Sequence, residues 1–238
     1  MTCVVITQPM YFPWPGFFSH IALADVLIWL DDSQFSKGKF FNRVQVLLKD
    51  KVHWMTIPLE GHGSFQKINE LKPGKKDWVN QHRAMLQQSF KNKELGNISL
   101  SLFDEATNLS KQQKLSKILI SSCELLASYL QVLPPNVIVS SDINVGGKSS
   151  ERVLQLVKSV SGTRYLTGHG ASKYLDHELF EKAGVEVEYI DYQIGEWPQE
   201  MSTFTPFVTS LDLIASLPIK LAKQRMKSIS KNWCDFIK

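Results

Sequence analysis

The chain has 238 residues, 43% of them hydrophobic and 21% charged, with a formal net charge of +4. That size and composition suit one globular α/β domain, and no apolar run approaches the ~20 residues that a membrane helix needs. Of the 27 Lys and Arg residues only five are Arg, and no dense basic block precedes the C-terminal tail, which argues against a nucleic-acid partner.

Residues 3–7 (CVVIT) form a β-branched run that reads as a buried strand, ended by the proline-rich stretch QPMYFPWPGFF. Residues 16–24 carry Phe17, Phe18, Ile21, Ala22 and Ala24 as a helical apolar stripe, and VLIWL (26–30) is a second buried strand stopped by Asp31 and Asp32. RVQVLL (43–48) and VHWMTI (52–57) flank a Lys-Asp-Lys turn and predict an antiparallel hairpin. The polar interval 59–74 reads as loop. Helices are expected over 76–92 and over 109–130, the second ended by Pro134 and Pro135. Alternation then resumes with strand 137–140, helix 150–160, strand 164–167, helix 176–183 with Gly184 as its C-cap glycine, and strand 185–190.

Strands separated by helices predict βαβ units, hence an α/β fold with a mainly parallel sheet flanked by helices. The antiparallel hairpin and a helical insertion at about 75–132 interrupt it. A single domain is expected over 1–216, followed by a basic tail over 217–238. Cys3, Cys123 and Cys234 are odd in number and show no C-x-x-C spacing, so neither a disulfide framework nor structural zinc is expected, and a reducing cytoplasm is. The start of the chain has no signal-peptide pattern.

Ligands of such sheets bind beyond the carboxyl ends of the strands. The distinctive residues of this sequence fall there: QPMYFPWPG after the first strand, DDSQFSKGKFFNR after the second, then SDINVGGKSSER, GHGASKY and DYQ. Arg43, Arg152 and Arg164 lie in or beside these segments. Gln8, an amide at a strand end before a rigid proline, is placed to bind a polar group, and Gly16 opens a helix whose free N–H groups could face an anion. The aromatics of this stretch fit a core as well as a ligand wall. Asp31 with Asp32 either caps a strand or holds Mg²⁺ or an ammonium; Lys37 and Arg43 form either a cationic clamp or a solvated loop. GGKSSER (146–152) suits an anion without being a Walker A loop, because Asp142 stands where that motif has its first glycine. Ser149 or Ser150 serves equally as a helix cap. GHGAS (168–172) places two glycines and His169 at another strand end, and His20 falls on the first helix near the same edge. No histidine spacing indicates a metal site, and the serine-hydrolase elbow, H-E-x-x-H and G-x-G-x-x-G patterns are absent.

QPMYFPWPGFF, ADVLIWLDDSQFSKGKFFNR, HWMTIPL and GGKSSERVLQLVKSVSGTRYLTGHGASKYLD, in that order, resemble the WbqC-like family as far as about Phe207. The matching positions are Gln8, Pro9, Tyr11, Pro13, Trp14 and Gly16, then Asp25, Asp31, Gln34, Phe35, Asn42 and Arg43, and finally Gly147, Ser150, Glu151, Arg152, Gly168, Ala171 and Tyr174. Phe17 departs from the more usual Tyr. The resemblance implies a place beside bacterial surface-polysaccharide genes and transfer of an amino-acyl group, such as glycine, to an amino sugar or sugar nucleotide. On that reading Asp31, Arg43 and Arg152 carry the chemistry: the arginines hold phosphate or carboxylate, and Asp31 meets the amine or a metal. Gln8, Tyr11, Trp14, Gly16, Gln34, Lys37, Asn42, Gly147, Lys148, Ser150, Gly168, His169 and Tyr174 hold the substrate. The acyl donor and the need for ATP and Mg²⁺ stay open. The start of the chain also resembles HUP-type nucleotide-binding domains, some of which activate carboxylates with ATP, although PWPG (13–16) stands in place of their H-x-G-H. A binding protein that holds a nucleotide sugar for partner enzymes, with the basic tail as docking arm, is the alternative.

Overall fold

In the computed structural model, which describes residues 1–36, 38–61, 66–75, 77–109 and 113–236, the chain begins with β1 (Cys3–Thr7), α1 (Pro15–Ile21) and β2 (Val26–Trp29). Pro15 sits at the start of α1, where its missing N–H costs nothing and its fixed φ suits the helix. The hairpin β3 (Arg43–Leu48) and β4 (Lys51–Thr56) follows. Lys49 and Asp50, with φ of 50° and 59°, form a two-residue turn whose twist matches the strands. Helices α2 (Trp78–Ser89), α3 (Gly96–Leu109) and α4 (Leu115–Tyr129) come next, then β5 (Asn136–Val139), α5 (Ser149–Ser159), β6 (Arg164–Thr167), α6 (His177–Lys182) and β7 (Glu186–Asp191). The chain continues through α7 (Ser210–Ser216), α8 (Ile219–Arg225), β8 (Ile229–Asn232) and α9 (Trp233–Phe236).

The main sheet has the order β5-β2-β1-β6-β7-β8. Its first five strands are parallel, and β8 pairs antiparallel with β7. From β1 the chain steps outward to β2 and β5, then returns to the other side of β1 as β6 and β7, so the order reverses between β1 and β6. Alternate side chains sort the core by face. Val5, Leu27, Trp29 and Leu166 pack with Phe17, Phe18 and Ile21 of α1 and with α2–α4, whereas Val4, Ile6, Val26, Ile28 and Tyr165 pack with Val153, Leu156 and Val157 of α5 and Phe180 of α6. Each fully buried side chain of this size adds about 1.5–3 kcal/mol of hydrophobic stabilisation.

Three expectations are corrected here. The helix expected over 109–130 starts later, as α4 from Leu115, with 110–112 outside the described residues, and α3, which was not expected, runs up to Leu109. The stripe of α3 is made by Leu102, Phe103 and Ala106, while Leu109, the last residue of the helix, is 65% exposed; α4 begins anew at buried Leu115, whose N–H donates to Leu71 O. The segment 217–238, marked out by its charge, contributes a sheet strand: β8 pairs with β7 over four residues, and Lys231 ion-pairs with Asp191. Arg164 lies at the amino edge, pairing with Glu188 and facing Cys3 across the ladder, so it is remote from the carboxyl-edge loops. No helix among the described residues is long and apolar enough to cross a membrane.

Candidate functional site at the fork between β1 and β6

Strands β1 and β6 pair only as far as Val5 and Leu166, while β1 stays with β2 to Thr7 and β6 with β7 to Thr167. The two strands therefore fork at their carboxyl ends, at the topological switch point where open α/β sheets bind ligands. A cavity of about 490 Å³ fills the fork. From β1 and its turn come Ile6, Thr7, Gln8 and Met10; from the α1 side come Trp14, Phe17 and His20. Tyr165, Thr167, Gly168, Gly170, Ala171 and Tyr174 line the β6 side, with Leu30, Val153 and Tyr192 completing the walls. A larger depression of about 690 Å³, lined by exposed residues of α5 such as Glu151, Gln155 and Lys158, has no aromatic residue among its described walls.

The proline-aromatic turn is fastened from α4. Ser122 Oγ donates to Met10 O and accepts from Phe12 N, and Cys123 Sγ donates to Met10 O while accepting from Met10 N. Phe12 is fully buried with φ of 41°, a left-handed conformation that non-glycine residues seldom adopt and that the surrounding packing must enforce. Burial raises the Cys123 thiol far above its ordinary range, so it is held as a neutral packing and hydrogen-bonding group. The Trp14 ring folds over Gly16, where a Cβ would lie 2.1 Å from it, and meets Tyr192 and Phe207 with centroids 5.0 and 5.4 Å away. Gly16 thus makes room for Trp14.

Gln8 Nε2 donates to Ser33 Oγ at 2.6 Å and to Gln34 O at 3.4 Å, which fixes the amide at the cavity wall. Tyr165 donates to Thr167 Oγ1 at 3.1 Å, and His20 Nε2–H donates to Leu166 O at 3.1 Å. Burial pulls His20 down to about 4 despite the opposing pull of that carbonyl, so it is neutral near pH 7. Burial pushes the Tyr192 hydroxyl up to about 12. His169 sits just behind, its Nε2–H on Ile190 O at 2.6 Å and its ring 5.2 Å from Tyr192.

Of the residues expected to hold substrate, Gln8, Trp14, Gly168 and Tyr174 meet in this cavity, and His169 and Gly16 support its walls. Several of the others have protein partners instead. Tyr11 is fully buried and donates to His82 Nδ1 at 2.9 Å. Asn42 donates to Ile57 O at 2.8 Å across the base of the hairpin. The Asp31 carboxylate is 4% exposed and accepts from Ser140 Oγ, Ser141 N, Ser141 Oγ and Asn69 Nδ2, joining the β2 and β5 ends. Ser140 shares its one proton with Asp32, but a buried carboxylate that accepts from the other three donors still has little capacity left for a metal or an amine. Asp25, from the same motif, accepts from Cys3 N at the amino edge.

Arg152 forms an ion pair with Asp32. Burial tends to raise Asp32, but the Ser140 hydrogen bond and the Arg152 guanidinium overcome it and hold the carboxyl below its ordinary value. Arg43 lies 4.1 Å over the Trp54 ring on the hairpin and donates to Gly38 O. Ser150 bonds Tyr174 O and Asp176 N, tying α5 to the turn that carries Tyr174. Gly147, at φ of 86°, packs where a Cβ would come within 3.1 Å of Arg152 N, and Lys148 is the residue before α5. Gln34 is exposed at the rim, its backbone bridged to Lys67, and Lys37 lies outside the described residues. No group of three potential metal ligands occurs among the described residues.

Reasoning from sequence singled out neither Thr7, Thr167 nor Tyr165 for the site. All three sit on strands that read as core, and only the register, which puts Tyr165 and Thr167 on one face at the fork, marks them.

The model of the WbqC-like protein family matches residues 8–223. "Uncharacterized protein Rv1507c" from Mycobacterium tuberculosis (strain ATCC 25618 / H37Rv) is 29% identical over 222 residues, covering 90% of this chain and 93% of that protein. No solved structure matches the chain. With the family match running from the first residue of the cavity turn into α8, the chain belongs to the WbqC-like protein family.

Proposed function

We propose that this chain is a transferase that acylates an amino group of a sugar or sugar nucleotide, with glycyl and other amino-acyl groups as candidate cargo, in bacterial surface-polysaccharide biosynthesis. The observation that carries the reading is the lining of the fork: aromatic rings with one amide and two threonine hydroxyls and, among the described residues, no carboxylate, Lys or Arg. Such walls suit a neutral, hydroxylated ring, with apolar faces against Trp14 and Tyr192 and polar groups fixing orientation. Lys148, by the start of α5, and the N–H groups of Arg152 that its ion pair with Asp32 leaves unused are the donors for a phosphate outside the cavity.

Amide formation needs an activated acyl donor, a thioester or an ATP-derived acyl phosphate, because a free carboxylate resists attack. The acceptor nitrogen bonds to the acyl carbon, the bond to sulfur or phosphate oxygen breaks with its electron pair, and the nitrogen loses a proton to solvent. Cys3 and Cys123 are buried with raised thiols, and exposed Cys234 is on α9 and not in the cavity lining, so direct transfer by positioning fits better than a covalent intermediate. Gln8 is the residue assigned to orient the acceptor.

A binding protein that presents the nucleotide sugar to another enzyme is the second reading, favoured by Asp31 and Arg152 both being engaged by protein groups. Mixing the protein with amino-sugar nucleotides and a thioester or Mg-ATP plus glycine, then weighing products by mass spectrometry, separates the two. A new amide that disappears in Arg152→Ala, with its fold intact, supports the transferase. Sugar-nucleotide binding without amide supports the binding protein, and no binding at all removes both.

A further inference from the structure

Among side chains at the fork, His20 is held in a way that neither packing nor helix formation requires. It is 5% exposed on α1 and lines the cavity. Its Nε2 reaches the carbonyl of Leu166, the last β6 residue that pairs with β1. A carbonyl can only accept, so Nε2 carries the proton and a neutral imidazole must present Nδ1 as a bare lone pair. Nε2 is engaged by Leu166 and no described residue is seen to donate to Nδ1, which leaves Nδ1 as the polar atom that this cavity-lining ring can offer a ligand.

The amide of the same lining is biased in the same direction. Gln8 spends its N–H₂ on Ser33 and Gln34, which leaves its Oε1 as an acceptor. We propose that His20 reads the ligand: its Nδ1 accepts a hydrogen bond from an amino or hydroxyl group, and with Gln8 Oε1 it selects a ring bearing such donors. This rests on the fork being the substrate site. The tautomer is locked, because turning Nδ1 into a donor means giving up the Leu166 bond or protonating a buried ring. A ligand with an acceptor or a bare CH at that point leaves Nδ1 unpaired and is rejected.

Two variants divide the roles of the ring. His20→Gln keeps an N–H near Nε2 for Leu166 and loses the acceptor at Nδ1; His20→Asn keeps an oxygen near Nδ1 and loses the Leu166 bond. Binding is measured by calorimetry with UDP sugars carrying a free amine at each ring carbon in turn, and the imidazole tautomer by ¹⁵N NMR. The expected result is an Nε2–H tautomer, at least about tenfold weaker binding in His20→Gln, and a smaller loss in His20→Asn despite its lower stability. Unchanged binding in His20→Gln, a greater loss in His20→Asn, or an Nδ1–H tautomer in the wild type overturns the assignment while leaving the fork as a site. Failure of every sugar nucleotide to bind the wild type overturns the site itself, and the role of His20 with it.

Discussion

Two buried histidines make the fold sensitive to mild acid. His20 and His82 are each drawn from an ordinary value of 6.5 to about 4, chiefly by burial. His82 Nδ1 accepts from Tyr11 and its ring also bonds the Thr56 backbone, so, like His20, it is neutral in the folded protein. Between the two values the unfolded chain takes up protons that the folded chain refuses. Stability is therefore full above the unfolded value, declines as pH falls through 6.5, and stops declining below about 4. From pH 7 to pH 5 each ring costs about 2 kcal/mol and the pair about 4 kcal/mol, a large part of the ~5–15 kcal/mol that holds a typical domain.

Urea unfolding at a series of pH values reads this directly, with the free energy falling while the urea dependence stays constant. His177, lowered mainly by burial, acts in the same direction. Asp32 and Asp191 are held below 3.8 and act only in stronger acid, so they do not confuse the window. His20→Gln and His82→Gln lower stability at pH 7 by removing contacts, but each flattens the slope by its share, and the double variant keeps only the smaller fall that His177 contributes. A wild type equally stable at both pH values refutes the reasoning. So does a double variant that keeps the wild-type slope.

Gly170 lines the fork without a positive φ, and a Cβ there meets nothing within 4 Å. Gly170→Val should leave the melting temperature within a few degrees and abolish the thermal shift given by a sugar nucleotide; retained binding would place the ligand elsewhere. Lys93 and Asp212 form a nearly sealed ion pair, 8% and 1% exposed, with Trp197 Nε1 also on the carboxylate. Lys93→Met strands that charge and should cost about 3–5 kcal/mol by urea unfolding, against under 1 kcal/mol if the pair behaved as a surface contact.

Much of the sheet was legible because its strands are short β-branched runs bounded by turn residues, and a parallel sheet buries both faces of them. The hairpin was legible for a similar reason. Helix α3 was not: its buried face includes Ser99 and Thr107, which bond Leu211 O and Phe103 O, and those residues do not register as an apolar stripe. Nor was β8, an edge strand of sequence ISKN that is mostly exposed and owes its place to pairing with β7 rather than to burial. At the site, Gln8, Trp14, Gly168 and Tyr174 could be gathered from strand ends alone. The partners of Asp31, Asn42 and Ser150 could not, since polar residues at strand ends must also satisfy the loops around them, and sequence does not say which demand prevails.

That demand explains the proline-aromatic turn. A β1 end that merely crossed to α1 would need neither a strained Phe12 nor three prolines. Here the turn runs between α4, which holds Met10 and Phe12 through Ser122 and Cys123, and α7, where Ser210 bonds Pro13 O. Tyr11 and Phe12 go inward as anchors, fully buried, while Gln8 and Trp14 are left at the fork. The prolines narrow the unfolded ensemble of the turn, so less entropy opposes this arrangement. Aromatic residues thus serve two ends within seven positions: the buried pair fixes the backbone, and the fixed backbone lets Trp14 fold over Gly16 as a wall. A chain lacking either the anchors or the glycine would keep its sheet and lose the shape of its cavity.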